Sequence, residues 1–157
     1  MIAAPEPHIL LIAHEPLASA LRMCALHVFT DCANYVHALD VPDSESPETT
    51  LERAWKLLEQ HQAGGATLLL TDVLGATPAN VAHRLLDGSQ ATRLLVGVNL
   101  PMLLRAICYR HETLDIWVER ALAGGQQGMS LAARSTAPQH QNFRNQKYGH
   151  ERNHHQQ

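Results

Sequence analysis

The chain is poor in aromatic residues and has no apolar run long enough to cross a lipid bilayer. Aromatic side chains make up 4% of the 157 residues, whereas apolar residues of all kinds make up 45%. Alanine and leucine must therefore fill most of the interior, which is typical of helices packed against a sheet. A membrane-spanning helix needs about 20 consecutive apolar residues, and no run approaches that length. The sequence therefore predicts one globular domain and no membrane span.

Features of a secreted protein are also lacking. No basic residue precedes the first apolar run, and Glu6 and His8 stand directly before it, which does not fit a signal peptide. The three cysteines, Cys24, Cys32 and Cys108, are an odd number and show no CxxC or other metal-ligand spacing. A disulfide framework is therefore not expected. These absences favour a cytoplasmic protein with reduced thiols.

Basic residues are not in excess in the main part of the chain. Residues 1–133 contain eight Lys and Arg against 14 Asp and Glu, and residues 134–157 contain four against one. Because nucleic-acid binding needs a clustered basic face, no nucleic-acid partner is expected. Residues 134–157 are rich in Gln, Asn and His, with only Phe143 and Tyr148 as aromatics. We predict a folded domain over 1–133 and a disordered tail over 134–157.

Short apolar runs alternate with helical patterns along the domain. This alternation predicts an α/β fold, with a small doubly wound, mainly parallel four-stranded sheet and helices on both faces. The predicted strands are 8–13, 35–39, 67–71 and 92–98. Five helices are predicted, and three of them cover 17–29, 102–109 and 114–123. Another begins after Ser46 as its N-cap and ends at Gly64 and Gly65. The remaining helix is capped by Thr77 and Pro78 and runs to about residue 86.

Two residues that can carry chemistry come directly after predicted strands. His14 follows the first strand and Asp72 the third, and ligands of open parallel sheets bind beyond the carboxyl ends of the strands. If these strands are neighbours, Asp72 can hold one ring nitrogen of His14 and leave the other as a nucleophile. The helix starts nearby can bind a phosphoryl group through backbone N–H groups and one hydroxyl. The candidate phosphate-binding residues are Leu17, Gly75, Ala76 and Thr77.

Structural roles are the alternatives for each of these residues. His14 can be a structural residue at a strand end, Asp72 a turn former, and Thr77 a simple N-cap. A metal site is a further alternative, because the chain has 11 histidines. However, His14 and Asp72 are only two plausible ligands at the sheet edge, and the one HExxH spacing, from His150 to His154, lies in the predicted tail, where we give it little functional weight. Neither a metal nor another cofactor is expected.

Three stretches give the chain a resemblance to a known family. They are ILLIAHEPLASAL, LLLTDVLGATPANVAHRL and VGVNLPMLLRAI. Together they resemble the IIA component of the mannose/fructose/sorbose family of the bacterial phosphoenolpyruvate-dependent sugar phosphotransferase system, over roughly residues 8–130. The resemblance implies a protein-histidine phosphocarrier in which His14 accepts a phosphoryl group from HPr and Asp72 orients His14. It also implies transfer to a IIB component, and a homodimer in which a strand near 128–133 completes the partner's sheet.

The chain departs from the family pattern beside the predicted phosphorylation site. Family members usually have Thr-His-Gly, whereas this chain has Ala13-His14-Glu15. The added carboxylate repels a phosphoryl group by about 1 kcal/mol if it is exposed to solvent. Three interpretations stay open: a carrier that serves sugar uptake through a membrane permease complex, a carrier that phosphorylates or contacts a regulatory protein, and a non-catalytic regulatory binding module with a degenerated site.

Overall fold

Strands and helices alternate along the described part of the chain, which comprises residues 5–61, 65–86 and 91–132 of a computed structural model. Within these ranges there are four strands and five α-helices, with a short 3-10 turn before the second strand. The strands are β1 (His8–His14), β2 (Val36–Val41), β3 (Thr67–Thr71) and β4 (Thr92–Val96). The helices are α1 (Leu17–Val28), α2 (Pro47–His61), α3 (Thr77–Arg84), α4 (Leu100–Cys108) and α5 (Leu114–Gln127).

The four strands form one parallel sheet in the order β2-β1-β3-β4. β1 and β3 are therefore neighbours, and their register pairs Ile12 with Thr71. Because all four strands run in the same direction, their carboxyl ends lie at one edge of the sheet. The last residue of β1, His14, thus lies beside the residue that follows β3, Asp72. The predicted fold class, an α/β fold with a four-stranded parallel sheet, is confirmed.

The sheet separates two apolar cores. Ile9, Leu11 and Ala13 of β1 pack in one core with residues of α1, α4 and α5. Leu10 and Ile12 pack in the other core with residues of α2 and α3. Since side chains alternate along a strand, His14 continues the row of Leu10 and Ile12, toward the face that carries α2 and α3.

Several element ends differ from those predicted. β2 extends to Val41 rather than 39, β4 ends at Val96 rather than 98, and α4 begins at Leu100 rather than 102. Ser46 caps α2 as predicted, since its Oγ accepts from the Thr49 N–H at 3.2 Å. The predicted end of α2 lies partly outside the described residues, because the helix ends at His61 and residues 62–64 are not described.

Thr77 does not cap α3. The N-cap residue is Ala76, whose backbone is extended, and no side chain accepts a hydrogen bond there. Thr77 is instead the first residue of the helix, because the residue with the non-helical, extended backbone directly before the helix is Ala76. The interpretation of Thr77 as an N-cap is therefore wrong, and its hydroxyl is not used for capping.

The last helix is longer than predicted. α5 continues past Ala123 through Gly124 and Gly125, residues that normally weaken a helix interior. The packing explains this, since a Cβ at Gly124 would lie 2.5 Å from the Cβ of Arg105 in α4. The close approach of α4 and α5 therefore requires glycine there.

The chain after α5 forms no strand as far as it is described. Residues 128–132 are irregular and exposed, with Met129 70% and Leu131 98% accessible to solvent. The strand exchange predicted for 128–133 stays a prediction, as does the disordered tail, which lies outside the described residues. Within the described ranges, none of the helices is long and apolar enough to cross a membrane.

Candidate functional site

His14 and Asp72 meet at the carboxyl edge of the sheet, as the sequence predicted for neighbouring strands. The Nδ1 atom of His14 lies 2.7 Å from Oδ2 of Asp72, and the backbone N–H of His14 donates to the same oxygen at 2.9 Å. The His14 side chain is 50% exposed, whereas that of Asp72 is 8% exposed. The ring is therefore anchored on one side by a nearly buried carboxylate and is open to solvent elsewhere.

Asp72 is held as an acceptor by the backbone around it. Its Oδ1 accepts a hydrogen bond from the N–H of Val73 at 2.8 Å. Burial alone would raise the pKa of Asp72, but the hydrogen bonds from His14 and Val73 outweigh that effect and lower the pKa below its usual value. The ionised carboxylate has no proton to donate, so Nδ1 of His14 must carry the hydrogen. In the neutral ring, Nε2 then has the free lone pair.

The loop after Asp72 is shaped by a glycine and an asparagine. Gly75 has a φ of 84°, a backbone conformation that favours glycine. The side-chain amide of Asn80 in α3 donates to the carbonyl of Gly75 at 3.1 Å and so ties the loop to the helix. No role for Asn80 was predicted from the sequence, although it ends the D-x-x-G-A-T-P-A-N stretch; its position one turn into a helix was the available signal.

At the start of α3, no side chain caps the first backbone N–H groups of the helix. Such groups, at the positive end of a helix, attract anions. Gly75, Ala76 and Thr77, three of the four predicted phosphate-binding residues, lie where the loop enters α3. Leu17, the fourth of them, is the first residue of α1, on the other side of the sheet. Their contacts with a phosphoryl group stay predictions.

A second carboxylate lies at the start of α1. Asp40 of β2 accepts a hydrogen bond from the backbone N–H of Ser19 at 3.0 Å. The N-cap of α1 is Pro16, which offers no side-chain acceptor. The role of Asp40 could not be predicted from its local sequence, because only the fold brings the end of β2 beside this helix.

The third loop at this edge, after β4, stabilises the fold. The N–H of Val98 donates to the carbonyl of Thr71 at 2.9 Å, which attaches the loop to β3. The side chain of Asn99 accepts from the N–H of Met102 at 2.9 Å and donates to the carbonyl of Gly125 at 3.0 Å. Asn99 thus caps α4 and joins it to α5.

The described part of the chain contains no group of three or more His, Cys, Asp or Glu residues arranged to hold a metal ion. The site instead has one half-exposed imidazole on a carboxylate, beside an uncapped helix start. Such a set can attack an electrophile with Nε2 and stabilise the positive charge that the ring acquires. This arrangement suits a group that is carried on nitrogen.

The sequence has known relatives. Residues 8–121 match the family model described as the fructose IIA component of the PTS system. The chain is 28% identical over 93 residues to the mannose-specific EIIAB component of the PTS system of Escherichia coli K12, which covers 58% of this chain and 29% of that protein. It is 26% identical over 96 residues to the sorbose-specific EIIA component of Lacticaseibacillus casei, covering 61% and 68%. The chain thus spans less than a third of the first relative.

Solved structures share the fold. The mannose/sorbose-specific IIA subunit from Enterococcus faecalis superposes with a TM-score of 0.74 at 21% identity, covering 85% of this chain and 99% of that one. The phosphotransferase component EIIA from Streptococcus agalactiae gives a TM-score of 0.67 at 25% identity, covering 79% and 95%. The order of strands and helices described above is therefore that of a known group of domains.

Proposed function

From the premise that the chain belongs to the family of PTS fructose IIA components, we propose that it is a phosphohistidine carrier with His14 as the phosphoryl acceptor. The observation that carries this proposal is the 2.7 Å contact between Nδ1 of His14 and Asp72 on a half-exposed ring. That contact leaves Nε2 as the nucleophile, since Nδ1 is engaged with the carboxylate. We therefore propose Nε2 as the phosphorylated atom.

The transfer step follows from this arrangement. Nε2 of His14 attacks the phosphorus of a donor phosphohistidine, a new N–P bond forms, and the donor's N–P bond breaks. The donor ring leaves with the electron pair. The His14 ring keeps its Nδ1 hydrogen and becomes positively charged, and the nearby Asp72 carboxylate stabilises that charge. Discharge to an acceptor reverses the step, after which His14 is neutral again.

The phosphoryl oxygens need hydrogen-bond donors. Gly75, Ala76 and Thr77 supply backbone N–H groups and one hydroxyl at the uncapped start of α3. The strand alternation supports this choice, because His14 continues the row of β1 side chains that faces α2 and α3. Leu17 supplies a further N–H from the first turn of α1.

The partners follow from the family as proposals. The proposed phosphoryl donor is HPr, and the proposed acceptor is a IIB component or a regulatory protein. The proposed location is the cytoplasm, and a permease complex is the only proposed link to a membrane. The sugar stays open, because the similar proteins are described as specific for mannose in one case and sorbose in the other. The proposed IIA domain covers residues 1–133.

A second copy of the chain is also a proposed partner. β4 is at the edge of the sheet, and a cleft of about 430 Å³ lies beside it. The cleft is lined by Leu94 and Val96 of β4, by α3 and by Leu74. Met129 and Leu131 are exposed beyond α5. These features support a homodimer in which segment 128–133 pairs with the partner's β4 and covers its cleft.

The role of Asp72 gives the test. Asp72→Asn keeps the size of the side chain but loses its charge, so we expect the rate of phosphorylation by phospho-HPr to fall about 10- to 100-fold. This corresponds to the roughly 1.5–3 kcal/mol of a hydrogen bond to a charged group. Glu112→Gln, at an exposed carboxylate after α4, is the control. Phosphorus NMR of the phosphorylated protein identifies the modified nitrogen.

An unchanged rate in Asp72→Asn would refute the role of Asp72, and phosphate on Nδ1 would refute the proposed acceptor atom. Binding of HPr without phosphoryl uptake by the wild-type protein would instead favour a regulatory binding module.

A further inference from the structure

The first turn of α1 depends on a carboxylate from the neighbouring strand. Pro16, the N-cap residue, has no side-chain acceptor, and Oδ1 of Asp40 accepts from the N–H of Ser19 at 3.0 Å. A helix leaves its first four N–H groups without partners inside the helix. Asp40 therefore supplies the capping interaction that this helix lacks in its own sequence.

The same end of β2 also holds the residue after His14. Asp40 lies opposite Ala13 and Val41 opposite His14 in the sheet register. The carbonyl of Val41 accepts from the N–H of Glu15 at 3.1 Å. The short connection from His14 to α1 is therefore fixed at its start by Val41 and at its end by Asp40.

The backbone of Asp40 is itself braced. Arg53 of α2 donates from Nη1 to the Asp40 carbonyl at 3.3 Å and to both carboxylate oxygens of Glu45 at 2.7 and 2.8 Å. Glu45 also accepts from the hydroxyl of Thr50 at 2.7 Å. The carboxylate of Asp40 is thus presented from a strand end that is attached to the helix on the opposite face of the sheet.

We propose that Asp40 is a positioning residue for phosphoryl transfer, acting through the first turn of α1 on the connection that carries His14. This inference rests on the proposed function. Asp72 holds the ring and the N–H of His14, whereas Asp40 fixes the direction in which the chain leaves His14. Without Asp40 the connection becomes freer, and the ring spends less time in the orientation in which Nε2 faces the donor.

The position of the oxygen, rather than the charge of Asp40, produces this effect. Asp40→Asn keeps Oδ1 as an acceptor for Ser19, and Asp40→Ala removes it. Asp40→Glu keeps the charge but places the carboxylate one methylene farther from the backbone. Ser19→Ala is the matched control, because it removes only the hydroxyl, which donates to the Pro16 carbonyl at 3.1 Å, and keeps the N–H.

The experiment measures the rate of His14 phosphorylation against the concentration of phospho-HPr. For Asp40→Ala and Asp40→Glu we expect kcat to fall about tenfold with KM unchanged, because misplacing a reacting group slows the reaction step. For Asp40→Asn and Ser19→Ala we expect kcat within about twofold of wild type. Amide hydrogen exchange at Ser19 is measured in the unphosphorylated proteins. It should accelerate in Asp40→Ala, which loses the hydrogen bond to the Ser19 N–H, and not in Asp40→Asn, which keeps it.

Wild-type rates in both Asp40→Ala and Asp40→Glu would overturn the proposal, as would an equal loss in Asp40→Asn and Asp40→Ala, which would mean that charge alone matters. If Asp40→Ala does not fold, the comparison of Asp40→Glu with Asp40→Asn decides. Failure of the wild-type protein to accept a phosphoryl group contradicts the proposed function instead. The hydrogen bond from the Ser19 N–H to Asp40 is then still tested by amide exchange at Ser19, and unchanged exchange in Asp40→Ala would refute its role in holding α1.

Discussion

Three stacked histidines at the amino end of the sheet should make the protein less stable in mild acid. His37 of β2 stacks on His61 at the end of α2, with ring centroids 3.8 Å apart. Its Nε2 lies 3.1 Å from Nδ1 of His8 at the start of β1. Burial, together with the nearby His61, His8 and Arg22, lowers the pKa of His37 to about 4. Burial, with His61, also lowers the pKa of His8, against an opposing effect of Glu6.

The sign of the pH effect follows from these directions. In the unfolded chain the pKa of His37 is near 6.5, so between about pH 6.5 and 4 the unfolded state binds a proton that the folded state does not. The free energy of unfolding therefore falls as the pH is lowered through this window. The full shift corresponds to roughly 3 kcal/mol at about 1.4 kcal/mol per pH unit. Screening at a ring that is only partly buried reduces the expected loss to about 1–2 kcal/mol.

Urea unfolding at about pH 7 and about pH 5 measures this loss, because the midpoint shifts with the free energy of unfolding at constant slope. His37→Gln removes the titrating ring and should flatten the pH dependence, although it lowers stability at neutral pH through lost stacking. His27→Gln, at an exposed histidine of α1, should leave the dependence unchanged. An equally steep loss in His37→Gln and wild type would refute the assignment to this stack.

Two further variants test other parts of the structure. Gly124→Ala should lower the free energy of unfolding by about 1–3 kcal/mol despite the better helix propensity of alanine, since the new Cβ would lie 2.5 Å from that of Arg105. Gln126→Ala, at an exposed position of α5, is the control. An increase in the thermal midpoint of Gly124→Ala would contradict this account. Glu15→Gly should speed phosphoryl transfer to His14 by roughly fivefold at low salt and less at high salt, because it removes about 1 kcal/mol of repulsion. Slower transfer would instead assign Glu15 to partner recognition.

Much of this architecture could be predicted because it depends on local patterns. The central strands are continuous apolar runs, and β3 has the predicted bounds of Thr67–Thr71. The pairing of His14 with Asp72 followed from one assumption, that β1 and β3 are neighbours, which the strand order confirms. His14 is the last residue of β1 and Asp72 directly follows β3, so the pairing of these two strands brings the side chains together.

The features that were missed depend on contacts between distant parts of the chain. Asp40 reaches Ser19 only because β2 pairs with β1, and nothing in its local sequence indicates a capping role. The helix through Gly124 runs against intrinsic propensity, and the close approach of α4 explains it. Thr77 was interpreted as a cap because its residue type favours that position, whereas the turn placed Ala76 there.

Transfer of a phosphoryl group to His14 is the central claim, and its most direct test is incubation with phosphoenolpyruvate, enzyme I and HPr followed by intact-mass measurement. We predict a gain of one phosphoryl group that is lost in acid, is stable in base and is absent in His14→Ala. No gain in a folded protein, with HPr itself fully phosphorylated, would contradict the claim, as would an undiminished gain in His14→Ala.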